Sequence, residues 1–187
     1  MSRSLKNSHY RADRRFCRSP RATGLTSLTR IVFETSFRLK FALMPATRQL
    51  ELNHQPVDYS ALVENMRTHR AGAVVLFLGT VRELTAGKQT ASLDYEAYPE
   101  MAIRQLNTLI DDAETRWPLL KVGVIHRLGH LELGDIAVAV AVSCPHRREA
   151  FESGQWIMDR IKEVVPIWKK ENWADGSTEW VHPEATT

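Results

Sequence analysis

An α+β domain is the fold class this sequence predicts, with two layers in which a mixed or mainly antiparallel sheet is packed by helices. Three observations predict it. Apolar runs of strand length occur at 72–78 and 136–142. Two long stretches with helical spacing, 98–117 and 148–165, each stop at a proline, Pro118 and Pro166. Some strand-like segments are joined by hairpin-length links, which argues against a doubly wound sheet.

The elements follow in order. Residues 59–69, "YSALVENMRTH", read as a short helix, and "GAVVLFL" (72–78) as a buried strand because its apolar run is continuous. The polar stretch "ELTAGKQTA" (83–91) reads as a mobile loop, and "SLDYEA" (92–97) alternates as a half-buried strand does. From Tyr98-Pro99 a helix gathers Ala102, Ile103, Leu106, Leu109, Ile110, Ala113 and Trp117 on one face. "KVGVIHRL" (121–128) is a third strand, "GHLELGD" (129–135) a turn and "IAVAVAV" (136–142) a fourth strand. In that strand Ile136, Val138, Val140 and Val142 face one way; Ala137, Ala139 and Ala141 face the other, small enough to let a helix pack closely. The helix from Arg148 carries Ala150, Phe151, Gly154, Ile157, Met158, Ile161, Val164 and Val165, and a tail with Trp168, Trp173 and Trp180 follows.

Composition bounds the class. At 187 residues, 43% hydrophobic and 25% charged, the chain suits one globular domain with a real core. No apolar run approaches the ~20 residues of a membrane span. Cys17 and Cys144 form neither a disulfide framework nor a metal knuckle, which fits a reducing, cytoplasmic setting. The histidines show no ligand spacing; His126 and His130 would be i,i+4 only on a helix, and a strand is expected there.

The net charge of +3 belongs to one end. Residues 1–43 hold ten of the 25 Lys and Arg but only Asp13 and Glu34 of the 22 acids, leaving 15 basic against 20 acidic residues in the remainder. A nucleic-acid reading of the whole chain therefore loses its basis. Residues 1–43 form a basic extension: an organellar transit segment, a disordered arm or sequence upstream of a mis-assigned start. The chain changes character at Met44, and 44–187 is taken as the domain.

Chemistry concentrates at four places. In "SCPHRREAF" (143–151), His146, Arg147 and Arg148 fall at a helix start, where cations oppose the dipole unless an anion is expected. The alternative is a solvated helix start, with the arginines reaching Glu149 or Glu152. Arg82 follows a strand end and is either an anion ligand or a solvated loop residue. In "RIKEVVPIWKKE" (160–171), Lys162 and Lys169 flank Pro166. They are either ordinary helix-end and surface charges or, with the chain broken at Pro166, two amines aimed at one spot. Cys144, before a helix N-terminus, is either a lowered-pKa nucleophile or a small core residue.

Taken in order, "GAVVLFLGTVRE" (72–83), "YEAYPEMA" (95–102), "RWPLLKVGVIHRLGHLELGD" (116–135), "CPHRREAFESGQWIMDRIKEVVPIWKKE" (144–171) and "EWVHP" (179–183) resemble the large, catalytic subunit of molybdopterin synthase. The resemblance spans about residues 50–183 and implies that family's hammerhead version of the α+β fold. It implies transfer of sulfur from the C-terminal thiocarboxylate of a small ubiquitin-like carrier to cyclic pyranopterin monophosphate (precursor Z), forming the dithiolene of molybdopterin. Implied partners are that carrier and a second copy of the chain, as a homodimer within a heterotetramer. No cofactor, metal, nucleic acid or membrane is implied.

Carried over by position, the family's substrate-binding residues fall on Thr80, Val81, Arg82, His146, Arg147, Lys162, Lys169, Lys170 and Glu171. Lys162 and Lys169 are the expected catalytic groups. Arg82, His146 and Arg147 would hold phosphate and pterin. Lys162 would polarise the carrier's terminal carbonyl, and Lys169 would orient substrate or move a proton, its pKa lowered among cations. The chain departs from the family after Trp180-Val181, where His182-Pro183-Glu184 stand in place of a further arginine. A non-catalytic clamp for an anionic nucleotide or a ubiquitin-like tail is the competing expectation, and a cysteine-dependent transferase a third.

Overall fold

A computed structural model describes residues 45–181. The basic extension and the His182-Pro183-Glu184 departure lie outside the described residues. The elements run β1 (Thr47–Asn53), α1 (Tyr59–Met66), β2 (Ala73–Thr80), β3 (Leu84–Thr85), β4 (Lys88–Ala97), α2 (Pro99–Arg116) and β5 (Lys121–Arg127). Then come β6 (Gly129–Glu132), β7 (Ile136–Cys144), α3 (Arg147–Val164), β8 (Ile167–Trp173) and β9 (Thr178–Val181).

The strands form two sheets. One has the order β1-β5-β7-β2, with β1 parallel to β5 and the other pairs antiparallel. The other is antiparallel, β3-β4-β8-β9, with β6 also paired to β4. The expected mixed, mainly antiparallel α+β architecture is what forms.

Strand β7 organises the first sheet, because its two faces differ in size. Val138, Val140 and Val142 join the main core beneath α2 and α3, with Leu106, Ile110, Ile157 and Ile161. Ala139 and Ala141 face Leu62 and Met66 of α1. The small face does admit a helix closely, and Gly123 on β5 helps: a Cβ there would lie 2.4 Å from Leu62 Cδ1. A third cluster of Val81, Leu93, Leu131 and Ala137 joins the two sheets.

Local chemistry sets the helix ends. The Asp58 carboxylate accepts from the Ala61 N–H at 2.9 Å and starts α1. Pro99 opens α2, where its missing N–H costs nothing. Helix α3 has Glu149 in its first turn and Lys162 in its last, each favourable to the dipole. Pro166 then stops it.

Several expectations need correction. Helix α1 ends at Met66 and not at His69, because Arg67 turns to extended backbone. Strand β2 is an edge strand with Phe77 40% exposed, so its apolar run does not mean full burial. The loop at 83–91 is the β3–β4 hairpin: Ala86 and Gly87 take positive φ (50° and 83°), the twist a two-residue hairpin turn requires. "GHLELGD" contains β6 before its turn, and the tryptophan tail is the β8–β9 hairpin.

Candidate active site

A cavity of about 890 Å³ opens where the end of β2, the last turns of α3 and the β4–β8 ladder meet. Arg82, Lys162 and Lys169 line it, each from a different element. Pro166 explains how the two lysines share it. Val165 ends the helix in extended backbone, and the Ile167 N–H returns to the Val165 carbonyl at 2.8 Å. The chain leaves as β8, in register Lys169↔Tyr95 and Glu171↔Leu93 with β4. Side chains at 167, 169 and 171 then share one face, and Ile167 and Lys169 of that set line the cavity.

The cations are held differently. Arg82 and Lys162 are exposed and have no ion pair or hydrogen bond among the described residues. Lys169 is tethered: its Nζ lies 2.7 Å from Glu171 Oε1, an ion pair without the alignment of a hydrogen bond. Glu171 is only 1% exposed, and its Oε2 accepts from Thr90 Oγ1 at 3.3 Å. Burial of such a carboxylate is tolerable only because the ammonium sits against it. Lys169 therefore has a carboxylate as its ionic neighbour, not the cluster of cations expected.

Two neutral groups share the wall. Burial, with the Glu171 charge nearby, pushes the Tyr95 phenol up to about 12. Burial pushes His126 down to about 4, and its Nδ1–H donates to the Arg127 carbonyl at 2.9 Å. The two rings meet edge to face, 4.8 Å between centroids. Both were missed in the sequence. Tyr95 is one of several aromatics in a half-buried strand, and His126 was weighed only as a metal ligand.

The expected site residues divide into three groups. Thr80, Arg82, Lys162 and Lys169 line one cavity. Val81, Lys170 and Glu171 do not. Val81 is 3% exposed in the joining cluster, and its peptide bonds Asp135 and Gly134, so it is scaffold. Lys170 points through the opposite face of β8, 3.8 Å from Asp94 Oδ2, because alternation separates it from Lys169. That Asp94 also accepts from Asn172, the main cause of its lowered pKa. Glu171 lies beneath Lys169 and holds it by the ion pair.

His146 and Arg147 stand apart within one chain. They sit at the start of α3, roughly 24 Å along the helix from Lys162 at 1.5 Å per residue, and are exposed away from the cavity. Their neighbour Arg148 follows the solvated reading, paired with Glu152 at 2.7 Å. Cys144 is wholly buried, and burial pushes its thiol up to about 11, the reverse of an activated nucleophile.

His126 makes stability pH-dependent with a definite sign. Its folded pKa, about 4, lies below the ordinary 6.5. The unfolded chain therefore takes the proton first, and stability falls as pH drops through that window. At pH 4.5 the loss from this group is about 2–3 kcal/mol relative to pH 7. Urea unfolding at the two pH values measures it, and His126→Phe is expected to remove that share of the difference.

Known proteins resemble this chain in sequence and fold. A family model described as MoaE protein matches residues 52–164. The chain is 43% identical over 141 residues to the molybdopterin synthase catalytic subunit of Halalkalibacterium halodurans, covering 75% of this chain and 90% of that one. It is 40% identical over 139 residues to the protein of the same name from Bacillus subtilis, covering 74% and 88%. The crystal structure of molybdopterin synthase from Staphylococcus aureus superposes with a TM-score of 0.66 at 42% identity, covering 70% of this chain and 95% of that one. A complex of subunits 1 and 2 of molybdopterin-converting factor from Helicobacter pylori shares the fold, with a TM-score of 0.56 at 17% identity over 76% and 93% of the two chains. The chain belongs to the MoaE family, that of the molybdopterin synthase catalytic subunits.

Proposed function

We propose that this cavity carries out the sulfur transfer of molybdopterin synthase, moving sulfur from the thiocarboxylate of a small ubiquitin-like carrier onto cyclic pyranopterin monophosphate. The observation that carries the reading is the convergence of Arg82, Lys162 and Lys169 on one hollow from three separate elements. Both reactants are anionic, one through phosphate and one through thiocarboxylate, and fixed cations on rigid elements hold and orient them. Arg82 and Lys162, having no partner among the described residues, are available to ligands.

The roles follow from the chemistry. Carrier sulfur attacks a substrate carbon as a C–O bond at that carbon breaks, the oxygen leaving on the phosphate or, once protonated, as water, so that a thioester joins carrier and substrate. Water adds to its carbonyl, and the oxyanion so formed collapses as the carrier's C–S bond breaks. Lys162 stabilises that oxyanion from the rim of the cavity. Lys169, pinned by Glu171, orients the pterin. Arg82 takes the phosphate. Thr80, at the strand end, lines the same cavity. The reaction belongs in the cytoplasm, where a buried free Cys144 stays reduced.

A second copy completes the site. Strand β2 is an unpaired edge with Phe77 exposed, and such an edge invites a partner. Two-fold antiparallel pairing of β2 with its copy, centred between Leu76 and Phe77, would set Ala73 of one chain beside Thr80 of the other. Ala73 pairs with Cys144 within the chain, so His146 and Arg147 of the copy approach the Thr80 end, where the cavity lies. That arrangement supports a homodimer within the heterotetramer formed with two carriers.

Reconstitution tests the reading. Purified chain, thiocarboxylated carrier and the pterin are expected to yield dithiolene product. Lys162→Arg keeps the charge but displaces it, and should lower the rate at least 100-fold; a variant with wild-type turnover would instead favour a mere clamp. For the dimer, mixing inactive Arg82→Ala and His146→Ala chains should restore about a quarter of wild-type activity, since half the dimers then carry one intact site. No recovery would assign His146 to its own chain's site and not to the copy's.

A further inference from the structure

We infer that Tyr95 and His126 are the specificity wall of this cavity, a neutral donor–acceptor pair that reads the hydrogen-bonding edge of a fused nitrogen heterocycle while the cations hold its anionic groups. The inference rests on the reading that the cavity takes the pterin. Cations alone select charge; they do not tell one heterocycle from another of equal charge.

The geometry supplies what they lack. Both rings line the cavity and touch each other edge to face. His126 commits its Nδ1–H to the Arg127 carbonyl, which leaves Nε2 as an acceptor. Neither that nitrogen nor the Tyr95 hydroxyl has a partner among the described residues, although His126 is only 6% exposed. Both atoms are accessible from the cavity, so a ligand there replaces the water that solvates them. A heterocyclic N–H satisfies Nε2, and a ring nitrogen or carbonyl satisfies the phenol. Burial keeps the imidazole neutral and the phenol protonated at pH 7, so both roles persist there. Tyr95 also lies directly across the ladder from Lys169, which brings neutral and charged contacts within one ligand's span.

Calorimetric titration with cyclic pyranopterin monophosphate tests the pair, with melting curves at pH 7 to establish folding. His126→Phe keeps the ring and its contact with Tyr95 but removes the acceptor. It is expected to raise the Kd for the pterin about ten- to a hundred-fold and to leave the KM for thiocarboxylated carrier unchanged. His126→Gln, which can present an acceptor, should recover part of the loss. Tyr95→Phe should weaken the pterin several-fold, and it decides the matter if His126→Phe does not fold. Wild-type affinity in folded Tyr95→Phe, or in folded His126→Phe, overturns the inference while leaving the sulfur-transfer reading intact. A wild-type chain that binds no pterin overturns the reading and this inference with it.

Discussion

The buried carboxylate of Glu171 is the constraint on which the site depends. A charge that is 1% exposed cannot be left alone in the interior, so Lys169 must stay over it. For that to happen β8 must pair with β4 in one register, and a slip of a single residue would turn Lys169 to the outer face. The break at Pro166 is what permits the register, since it ends α3 within a few residues of the ladder. Lys162 then stands at the helix end and Lys169 on the strand, both facing the same hollow. The ion pair, the proline and the strand register are three parts of one device for aiming two amines.

Much of the scaffold was legible in the sequence because it rests on apolar periodicity. The valines and alanines of β7, the buried stripes of α2 and α3 and the prolines that stop them are direct readings of pattern. The exceptions are Phe151, expected on the α3 stripe but 64% exposed, and Ile136, expected with the valines but packed with Ala139 and Ala141. Strands β6 and β8 were hidden for the opposite reason. "GHLE" and "WKKEN" have too few apolar residues to betray a period of two, and they are strands only because β4 offers both edges for pairing. The β3–β4 hairpin was hidden by its polarity. Its Ala86-Gly87 turn lacks the usual Asn-Gly or Asp-Gly signature.

The site was legible in part, and the pattern of error is physical. Cations placed against electrostatic expectation, or beside a chain break, stood out as Arg82, His146, Arg147 and the two lysines. Of the contiguous positions carried over, Val81 and Lys170 do not line the cavity, because neighbours on an extended chain point to opposite sides. Tyr95 and His126 carried no local signal; they meet only when β4 and β5 are brought together. The distribution of charge is also informative. The chain beyond residue 43 has more acids than bases, yet its main hollow is lined by three cations against two acids, Asp159 and Glu163. The balance of charge in the hollow is thus the reverse of that in the domain around it, without making the whole surface attractive to nucleic acid.

The most direct test of this account is a crystal structure of the chain with cyclic pyranopterin monophosphate bound. The account predicts the ligand in the cavity between β2, α3 and β8, its phosphate within ion-pair reach of the Arg82 guanidinium and its ring beside Lys169. Ligand seated only on the exposed start of α3, with that cavity filled by solvent, would contradict it.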